Sequence, residues 1–357
     1  MNIPQDKKYD VVIIGGGFSG LSTAVVLAER GISVAVFEKD EKPGGHLSRW
    51  HHLFPHGQEA SELLGELYSK VKHLDIPVFT GRKITGIRLL SGVNMLMDGD
   101  EVLAYAMAVV LAAGFRLFDA QRKEEYGYGL YPSVLTAAEV EAVFRKERPW
   151  PFDSSCEQPR IAFVHCVGSR DLKCGVAHCS KLCCITAVKQ AIAVKQAFPK
   201  SQVWCFYMDL RMHGLEYEEL YRRAQVEYGV RFIRGRLSEA SPGQGGTLHV
   251  KAEDTLLGKP IRMQLDMLVL MAGMVPAVDL QLSIGKIVLE EPSFGSGFIS
   301  VTGYPLSVQV AGHPGIYAVG TCKGPAVLPE VMADACAVAR EVENYIKSIK
   351  EPQYVQA

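Results

Sequence analysis

Three kinds of pattern are missing from this sequence of 357 residues. The formal net charge is only −1, so there is no electrostatic reason to expect a nucleic acid or an anionic membrane as a partner. No uninterrupted apolar run approaches the ~20 residues that a membrane-spanning helix needs. The polar start, MNIPQDKK, lacks the apolar stretch of a signal peptide. We therefore expect a cytoplasmic protein without direct membrane insertion.

Cysteine pairs of the C-x-x-C type are also missing, although the chain has nine cysteines. This absence removes the usual spacing of a redox-active disulfide. In a cytoplasmic protein, nine cysteines indicate metal or redox chemistry rather than a disulfide framework. The length predicts two domains, and 48% hydrophobic with 22% charged residues is ordinary for a globular protein.

The first 40 residues predict a strand–helix–strand unit that binds a dinucleotide. The turn after the apolar strand YDVVII has the spacing G-x-G-x-x-G at Gly15, Gly17 and Gly20. Glu38 ends the second strand about 20 residues on, where an acidic residue accepts hydrogen bonds from the ribose. Gly17 would let the backbone approach the pyrophosphate at the helix N-terminus. The neighbouring residues Phe18, Ser19 and Lys39 are included in the predicted site.

Further glycines favour FAD over NAD as this dinucleotide. Gly44 and Gly45 follow Glu38 closely, and in flavoproteins with two dinucleotide domains such a pair lies along the flavin. GIYAVG, ending at Gly320, resembles the strand that closes an FAD site against the ribityl chain. An Asp usually comes next, but here Thr321 does, and it can still donate a hydrogen bond. The predicted FAD site also includes His46, Ile84, Ala113 and Gly114.

The second half begins like another dinucleotide domain but departs from one. RIAFVH (160–165) predicts the opening strand, yet the chain continues CVGSRD, and Gly168 alone cannot form a pyrophosphate turn. An amphipathic helix is predicted at 183–198, and a β-meander at 237–270 that returns to the FAD domain. We expect an α/β fold with two dinucleotide-binding domains, the second of them degenerate. The predicted parts are residues 1–150, 151–276 and 277–357, the first and last forming the FAD domain.

Five cysteines lie between residues 166 and 184, in CVGSRDLKCGVAHCSKLCC. A strand end and a helix start are neighbours in a βαβ unit, so thiolates from both can converge. The helix N-terminus would stabilise an anionic group there. An iron–sulfur cluster, a zinc site and a reactive thiol all remain open on these residues. Another cluster of donors, the three histidines of WHHLFPH (50–56), is interpreted as a loop packed near the flavin.

Four motifs, in order, resemble the flavoprotein subunit of heterodisulfide reductase, the A-type subunit of that enzyme family. They are CVGSRD with CSKLCC and KQA, FYMDLR with GLEYEELYRRA, AGMVPA, and GTCKGPAVLPE. The resemblance runs from about residue 9 to the end of the chain. It implies a thioredoxin-reductase-like fold that holds one FAD and one [4Fe–4S] cluster.

The resemblance also implies which residues hold these groups. The family's cluster cysteines fall on Cys166, Cys179, Cys183 and Cys184, and Cys174 lies outside the pattern. Thr321 fits the family's GT-C-x-G-P motif. The segment after Leu328 and Pro329 would present a helix N-terminus to the flavin.

The function implied is that of an electron-transfer subunit in sulfur metabolism. The family's sister subunits, of the iron–sulfur and B/C types, are the expected partners, and a homodimer is expected. The chain lacks the extra cysteine-rich segments of the methanogen protein. It therefore looks like the compact form of bacterial sulfur oxidation, or the quinone-linked relative of sulfate reduction. The competing hypotheses are a self-sufficient flavin-dependent thiol or polysulfide reductase and a structural assembly subunit.

Overall fold

The computed structural model describes residues 7–350 except 91, 154, 278–295, 303–307 and 311–312. The chain divides into two compact units, one of residues 1–48, 61–116 and 275–357, the other of 49–60 and 117–274. Residues 117–150, which the sequence-based division assigned to the first domain, fall in the second unit. No helix among the described residues is both long and apolar enough to cross a membrane.

Strands and helices follow one another along the described chain in alternation typical of an α/β protein. The strands are β1 (Lys8–Ile14), β2 (Val34–Phe37), β3 (Val78–Phe79), β4 (Gly86–Leu90), β5 (Val93–Asp98), β6 (Glu101–Leu111), β7 (Phe115–Leu117), β8 (Val134–Thr136), β9 (Arg160–Val167), β10 (Gln202–Tyr207), β11 (Arg231–Arg234), β12 (Leu237–Pro242), β13 (Leu248–Asp254), β14 (Lys259–Leu265), β15 (Met267–Ala272), β16 (Met274–Pro276) and β17 (Ile316–Ala318). The helices are α1 (Phe18–Ala28), α2 (Ala60–His73), α3 (Ala137–Phe144), α4 (Cys183–Ala197), α5 (Leu215–Val226) and α6 (Leu328–Lys350).

The first unit is built on a seven-stranded sheet. Its order is β3-β2-β1-β6-β5-β4, and β17 also pairs with β6. β2, β1, β6 and β17 run parallel to one another, so their carboxyl ends meet at one edge. One face packs against α1 and α6, whose Leu21, Val25, Ala335 and Val338 share a buried core with β1. The predicted unit of strand, helix and strand at the N-terminus is present as β1, α1 and β2.

Ile84, which belongs to the predicted FAD site, does not lie in a strand. The residue lies just before β4, which begins at Gly86. Its side chain is buried in the core with Val12 and Ala35 of β1 and β2. It therefore stays beside the predicted cofactor site of this unit, but outside the sheet ladder.

The second unit is built on a five-stranded parallel sheet, in the order β11-β10-β9-β15-β8. β12, β13 and β14 form a separate antiparallel sheet. The prediction of one β-meander over 237–270 is wrong for β15, which joins the parallel sheet instead. Its run MLVLMA is buried between β9 and β8, because a continuous apolar run suits a central strand of a parallel sheet.

Helix α4 begins at the paired cysteines, as predicted, but it is not amphipathic. Ten of its fifteen residues are buried. It covers β9, β10 and β15 and is flanked by α3 and α5, all of which bury its other faces. A helix covered on most sides needs apolar or small residues all round rather than in one stripe.

The histidine-rich segment 49–60 belongs to the second unit, where a buried ion pair holds it. Lys189 of α4 lies 2.5 Å from Glu141 of α3, which is fully buried. The Lys189 Nζ also donates to the carbonyl of His52 at 2.9 Å, and the His51 amide donates to Glu141 at 2.9 Å. Gln190 donates to the same carboxylate at 2.6 Å.

Candidate functional site

The glycine turn after β1 has a shape that other residues cannot adopt. Gly15 has φ +112°, and a Cβ on it would lie 2.4 Å from the carbonyl oxygen of Ala112. A Cβ on Gly20 would lie 2.0 Å from the carbonyl oxygen of Gly15. Helix α1 therefore starts directly against the end of β1, with Gly17 at its N-cap. The amides of its first turn are those that bind a phosphate in dinucleotide sites.

The second glycine pair lies against this turn. The Gly44 amide donates to the carbonyl of Gly16 at 2.8 Å, and a Cβ on Gly45 would lie 3.1 Å from the Cα of Gly17. Tyr68 supports the pair from α2, because its hydroxyl donates to the carbonyl of Pro43 at 2.7 Å. The two glycine-rich segments thus form a groove lined mostly by backbone atoms. A long cofactor could pack closely against it.

Glu38 is fixed at the carboxyl end of β2. Its carboxylate is 6% exposed and accepts hydrogen bonds from the amides of Gly16, at 2.6 Å, and Asp40, at 2.9 Å. A carboxylate oxygen has two acceptor directions, so capacity is left for a ribose. His46, further along, stacks on Phe115 with 4.0 Å between ring centroids.

The C-terminal segment brings a second loop to the same sheet edge. Gly320, with φ +71°, packs against Ser19, since a Cβ on it would lie 2.3 Å from the Ser19 hydroxyl. Asp334 of α6 accepts from the Gly320 amide at 2.6 Å and from Lys323 at 2.5 Å. Thr321 lies beside Gly114, where a Cβ would be 3.9 Å from the threonine hydroxyl.

All the predicted FAD residues except Ile84 therefore belong to turns and helix starts that follow β1, β2, β6 and β17. Sequence reasoning missed Asp334, which together with Lys323 fixes the loop that contains Thr321. Leu328 and Pro329 begin α6. Cys322 is buried and its Sγ donates to the carbonyl of Leu111 at 3.2 Å. Burial raises the pKa of Cys322 to about 12, so this thiol is poorly suited to redox chemistry.

In the second unit, the equivalent sheet edge is filled by the protein's own side chains. A Cβ on Gly168 would lie 2.0 Å from the ring of Phe118, which is 3% exposed. The hydroxyls of Ser169 and Ser180 are 2.5 Å apart, and a Cβ on Gly273 would lie 2.1 Å from the Ser169 hydroxyl. Phe118 was not foreseen from the sequence. A phosphate-binding turn has neither its glycines nor its space here.

Asp209, at the end of β10, has a structural partner. It forms ion pairs with Arg170 at 2.7 Å and Arg234 at 3.6 Å. These ion pairs indicate a structural role for Asp209 rather than that of a ribose ligand.

Three of the predicted cluster cysteines come together at the end of β9 and the start of α4. Cys166, Cys183 and Cys184 are buried and joined by hydrogen bonds between their sulfurs. Hydrogen bonds from Cys183 lower the pKa of Cys166 and of Cys184, while the same bonds raise the pKa of Cys183. The Arg170 guanidinium interacts with both Cys166 and Cys179. Cys166 and Cys184 therefore favour the thiolate form, whereas Cys183 favours the thiol.

The backbone around these cysteines is strained. Of the five described non-glycine residues with positive φ, three lie here: Cys166 (59°), Arg170 (53°) and Lys181 (59°). Such conformations persist where the surroundings require them, and they concentrate at functional sites. The Cys179 sulfur accepts a hydrogen bond from the Lys181 amide at 3.3 Å.

Among the described residues, no group of three or more His, Cys, Asp or Glu side chains has the geometry to hold a single metal ion. A [4Fe–4S] cluster holds its thiolates farther apart than a single ion holds its ligands, so the two kinds of site need different spacings. Cys174 lies on a short turn at the surface side of the loop, and burial together with Asp171 raises its pKa. The raised pKa disfavours the thiolate form of Cys174.

Comparison with known proteins gives the following relatives. The family model of FAD dependent oxidoreductases matches residues 10–58. The A subunit of the H(2):CoB-CoM heterodisulfide,ferredoxin reductase of Methanothermobacter marburgensis is 36% identical over 252 residues, which are 68% of this chain and 37% of that protein. The first of two iron-sulfur A subunits of the CoB--CoM heterodisulfide reductase of Methanopyrus kandleri is 28% identical over 423 residues. This alignment covers 93% of this chain and 63% of that protein. The chain thus spans between one third and two thirds of these relatives.

Solved structures resemble the chain over nearly all of its length. The thioredoxin reductase of Lactococcus lactis aligns with a TM-score of 0.67 at 18% identity, covering 95% of this chain and 99% of that one. The thioredoxin reductase of T. acidophilum aligns with a TM-score of 0.64 at 20% identity, covering 96% and 99%. The predicted fold, a two-dinucleotide-binding flavoprotein like thioredoxin reductase, is confirmed. The family match and the relatives support FAD as its dinucleotide.

Proposed function

Because this chain is homologous to the A subunits of heterodisulfide reductases, we propose that it is an electron-transfer subunit of a heterodisulfide-reductase-like complex in sulfur metabolism. In this proposal it binds FAD in the first unit and a [4Fe–4S] cluster in the second. Partner subunits of the iron–sulfur and B/C types, and a homodimer, belong to the same proposal. The cytoplasmic location stays a prediction.

One observation carries the proposal. Where a pyridine-nucleotide reductase would have a phosphate turn, Phe118 packs on Gly168 and cysteine thiols gather beside it. A protein with a flavin site but without a nicotinamide site needs another route for electrons. Bound FAD would supply two-electron redox chemistry and a bound cluster would supply one-electron chemistry.

The chain's own residues would act by positioning. The first turn of α1 and the glycines at 15, 17 and 45 would hold the pyrophosphate, and Glu38 would accept from the ribose. The Asp334–Lys323 pair would keep the loop of Thr321 at the ribityl side. Cys166, Cys179, Cys183 and Cys184 are the proposed cluster ligands, and Arg170 would offset part of their negative charge.

The test is anaerobic purification followed by analysis of FAD, iron and acid-labile sulfide. We expect about four iron and four sulfide per FAD, and a visible absorption band that bleaches with dithionite. C183S should lose iron and sulfide and keep FAD. C336S is the matched control, since Cys336 is an exposed cysteine on α6 of the first unit. Zinc without sulfide would contradict the cluster.

A self-sufficient thiol reductase is the second candidate, and the lowered pKa of Cys184 is what favours it. The residue is only 2% exposed, however, whereas reactive thiolates are usually accessible. Stopped-flow mixing with NADH or NADPH separates the two candidates. Rapid flavin bleaching by either nucleotide would support the reductase, and an unchanged flavin spectrum supports the electron-transfer role.

A further inference from the structure

His165 is a buried polar residue that the site described so far does not use. It precedes Cys166 in β9 and is 6% exposed. Among the described residues, neither of its ring nitrogens makes a hydrogen bond of normal geometry, although the ring makes a weaker hydrogen-bonding contact with the Cys184 thiol. Burying an imidazole with so weak a partner is unfavourable. The residues that precede His165 in β9 (RIAFV) are mostly apolar. An apolar residue at position 165 would therefore make the strand more stable.

The surroundings of His165 indicate which partner it would bind in the loaded protein. After the hydrogen bond from Cys183, the contact with His165 contributes to the lowered pKa of Cys184. It also interacts electrostatically with Cys166. The histidine therefore lies beside two of the proposed cluster ligands. Sulfur is the acceptor that this neighbourhood offers, and a cluster would add inorganic sulfides to the two thiolates.

We infer that His165 is a positioning residue that donates an N–H hydrogen bond to a sulfur of the bound cluster, either a cysteine thiolate or a sulfide. This inference rests on the proposed function. A hydrogen bond to sulfur stabilises the reduced cluster more than the oxidised one, because reduction adds negative charge to the acceptor. Hydrogen bonds to sulfur are one of the protein's means of setting a cluster's reduction potential.

The experiment compares wild type, H165F and H165Q, all as full chains purified anaerobically with FAD. H165F fills a similar volume without a donor, whereas H165Q keeps an N–H donor. H249F is the matched control, because His249 is an exposed histidine on β13 of the same unit. For each protein we would measure iron and sulfide content and then the cluster's midpoint potential, by an EPR-monitored redox titration.

We expect H165F to keep its iron and sulfide and to shift the midpoint to lower potential. A tenfold change in the ratio of reduced to oxidised cluster at fixed potential corresponds to about 59 mV for one electron. H165Q should lie between H165F and wild type, and H249F should equal wild type. An H165F cluster with the wild-type midpoint overturns the inference and leaves the proposed function standing. A wild-type protein without iron and sulfide instead overturns the proposed function itself.

A second measurement covers the case in which H165F does not assemble a cluster. Wild type and H165Q labelled with ¹⁵N-histidine would be reduced and examined by pulsed EPR. A weak ¹⁵N coupling in wild type that is lost in H165Q supports the hydrogen bond. A strong coupling, typical of direct ligation to iron, overturns it, and so does the absence of any coupling.

Discussion

Lys189 and Glu141 give the sharpest stability prediction, because both are removed from water and depend on each other. Changing Lys189 to Met removes the ammonium but keeps most of the side-chain volume. Glu141 would then remain fully buried, with amide donors from His51 and Gln190 but without a compensating charge. Breaking a buried pair in this way costs about 3–5 kcal/mol. E141Q should be destabilising for the same reason, since it leaves the Lys189 ammonium unpaired.

The double variant, K189M with E141Q, is expected to recover part of this loss. It contains neither charge, and the glutamine oxygen can still accept one of the two hydrogen bonds, which the His51 amide and the Gln190 side chain donate to different oxygens of Glu141. The coupling energy from the double-mutant cycle should be at least about 2 kcal/mol.

The assay is urea unfolding followed by tryptophan fluorescence. Trp50 reports on this site, because the Lys189 Nζ lies 5.2 Å from its ring centroid. K200M is the matched control, since Lys200 pairs with Glu157 at the surface and such pairs contribute about 0–1 kcal/mol. The reasoning is refuted if K189M unfolds within about 1 kcal/mol of wild type, or if the double variant loses the sum of the single losses.

Three further predictions concern the two cofactor sites. G20A should purify with little or no FAD, because its Cβ would lie 2.0 Å from the carbonyl oxygen of Gly15. The FAD content is measured as the ratio of absorbance at the flavin band to absorbance at the protein band. G65A is its control, since no described heavy atom lies within 4 Å of that Cβ, and its FAD content should be normal. C166S should lose iron and sulfide while keeping its FAD content and its melting temperature within a few degrees, and full metal content would exclude Cys166 as a ligand. Cys322, with a pKa of about 12, should resist iodoacetamide at about pH 8 in the folded protein and react after denaturation. Rapid modification of the native protein, detected by mass spectrometry, would show that the thiol is accessible.

The FAD site was predictable because its signal is local. The turn at Gly15 and Gly20 requires residues without a Cβ, and the requirement is visible in the spacing of the glycines themselves. Glu38 follows from the length of one helix and one strand. The loop of Thr321 was recognised from its own motif, but Asp334, which binds its backbone, lies in the second turn of α6. An isolated aspartate on a helix has no distinguishing pattern in the sequence.

The cysteine site shows where local reasoning stops. The spacing of the cysteines predicted that strand end and helix start would meet, and three of the four thiols do meet there. The sequence shows that His165 is a polar residue in a mostly apolar strand, which sets it apart. It does not show which way the imidazole ring points. The β-strand MLVLMA was predicted as part of a β-meander but belongs to the parallel sheet. An apolar run indicates that a strand is buried and does not indicate between which neighbours it lies.

The sequence by itself determined that the N-terminal segment forms a dinucleotide turn, that the second half lacks one, and that cysteines stand in its place. Backbone conformation and element order decide these features, and both depend on residues that are close along the chain. Only the tertiary structure decided that Phe118 occupies the space over Gly168, that Glu141 is buried against Lys189, and that His165 lies beside Cys184. These contacts join residues that are distant in the sequence or that belong to different elements. They follow from how the sheet and its helices pack, and such packing leaves no periodic trace in the sequence.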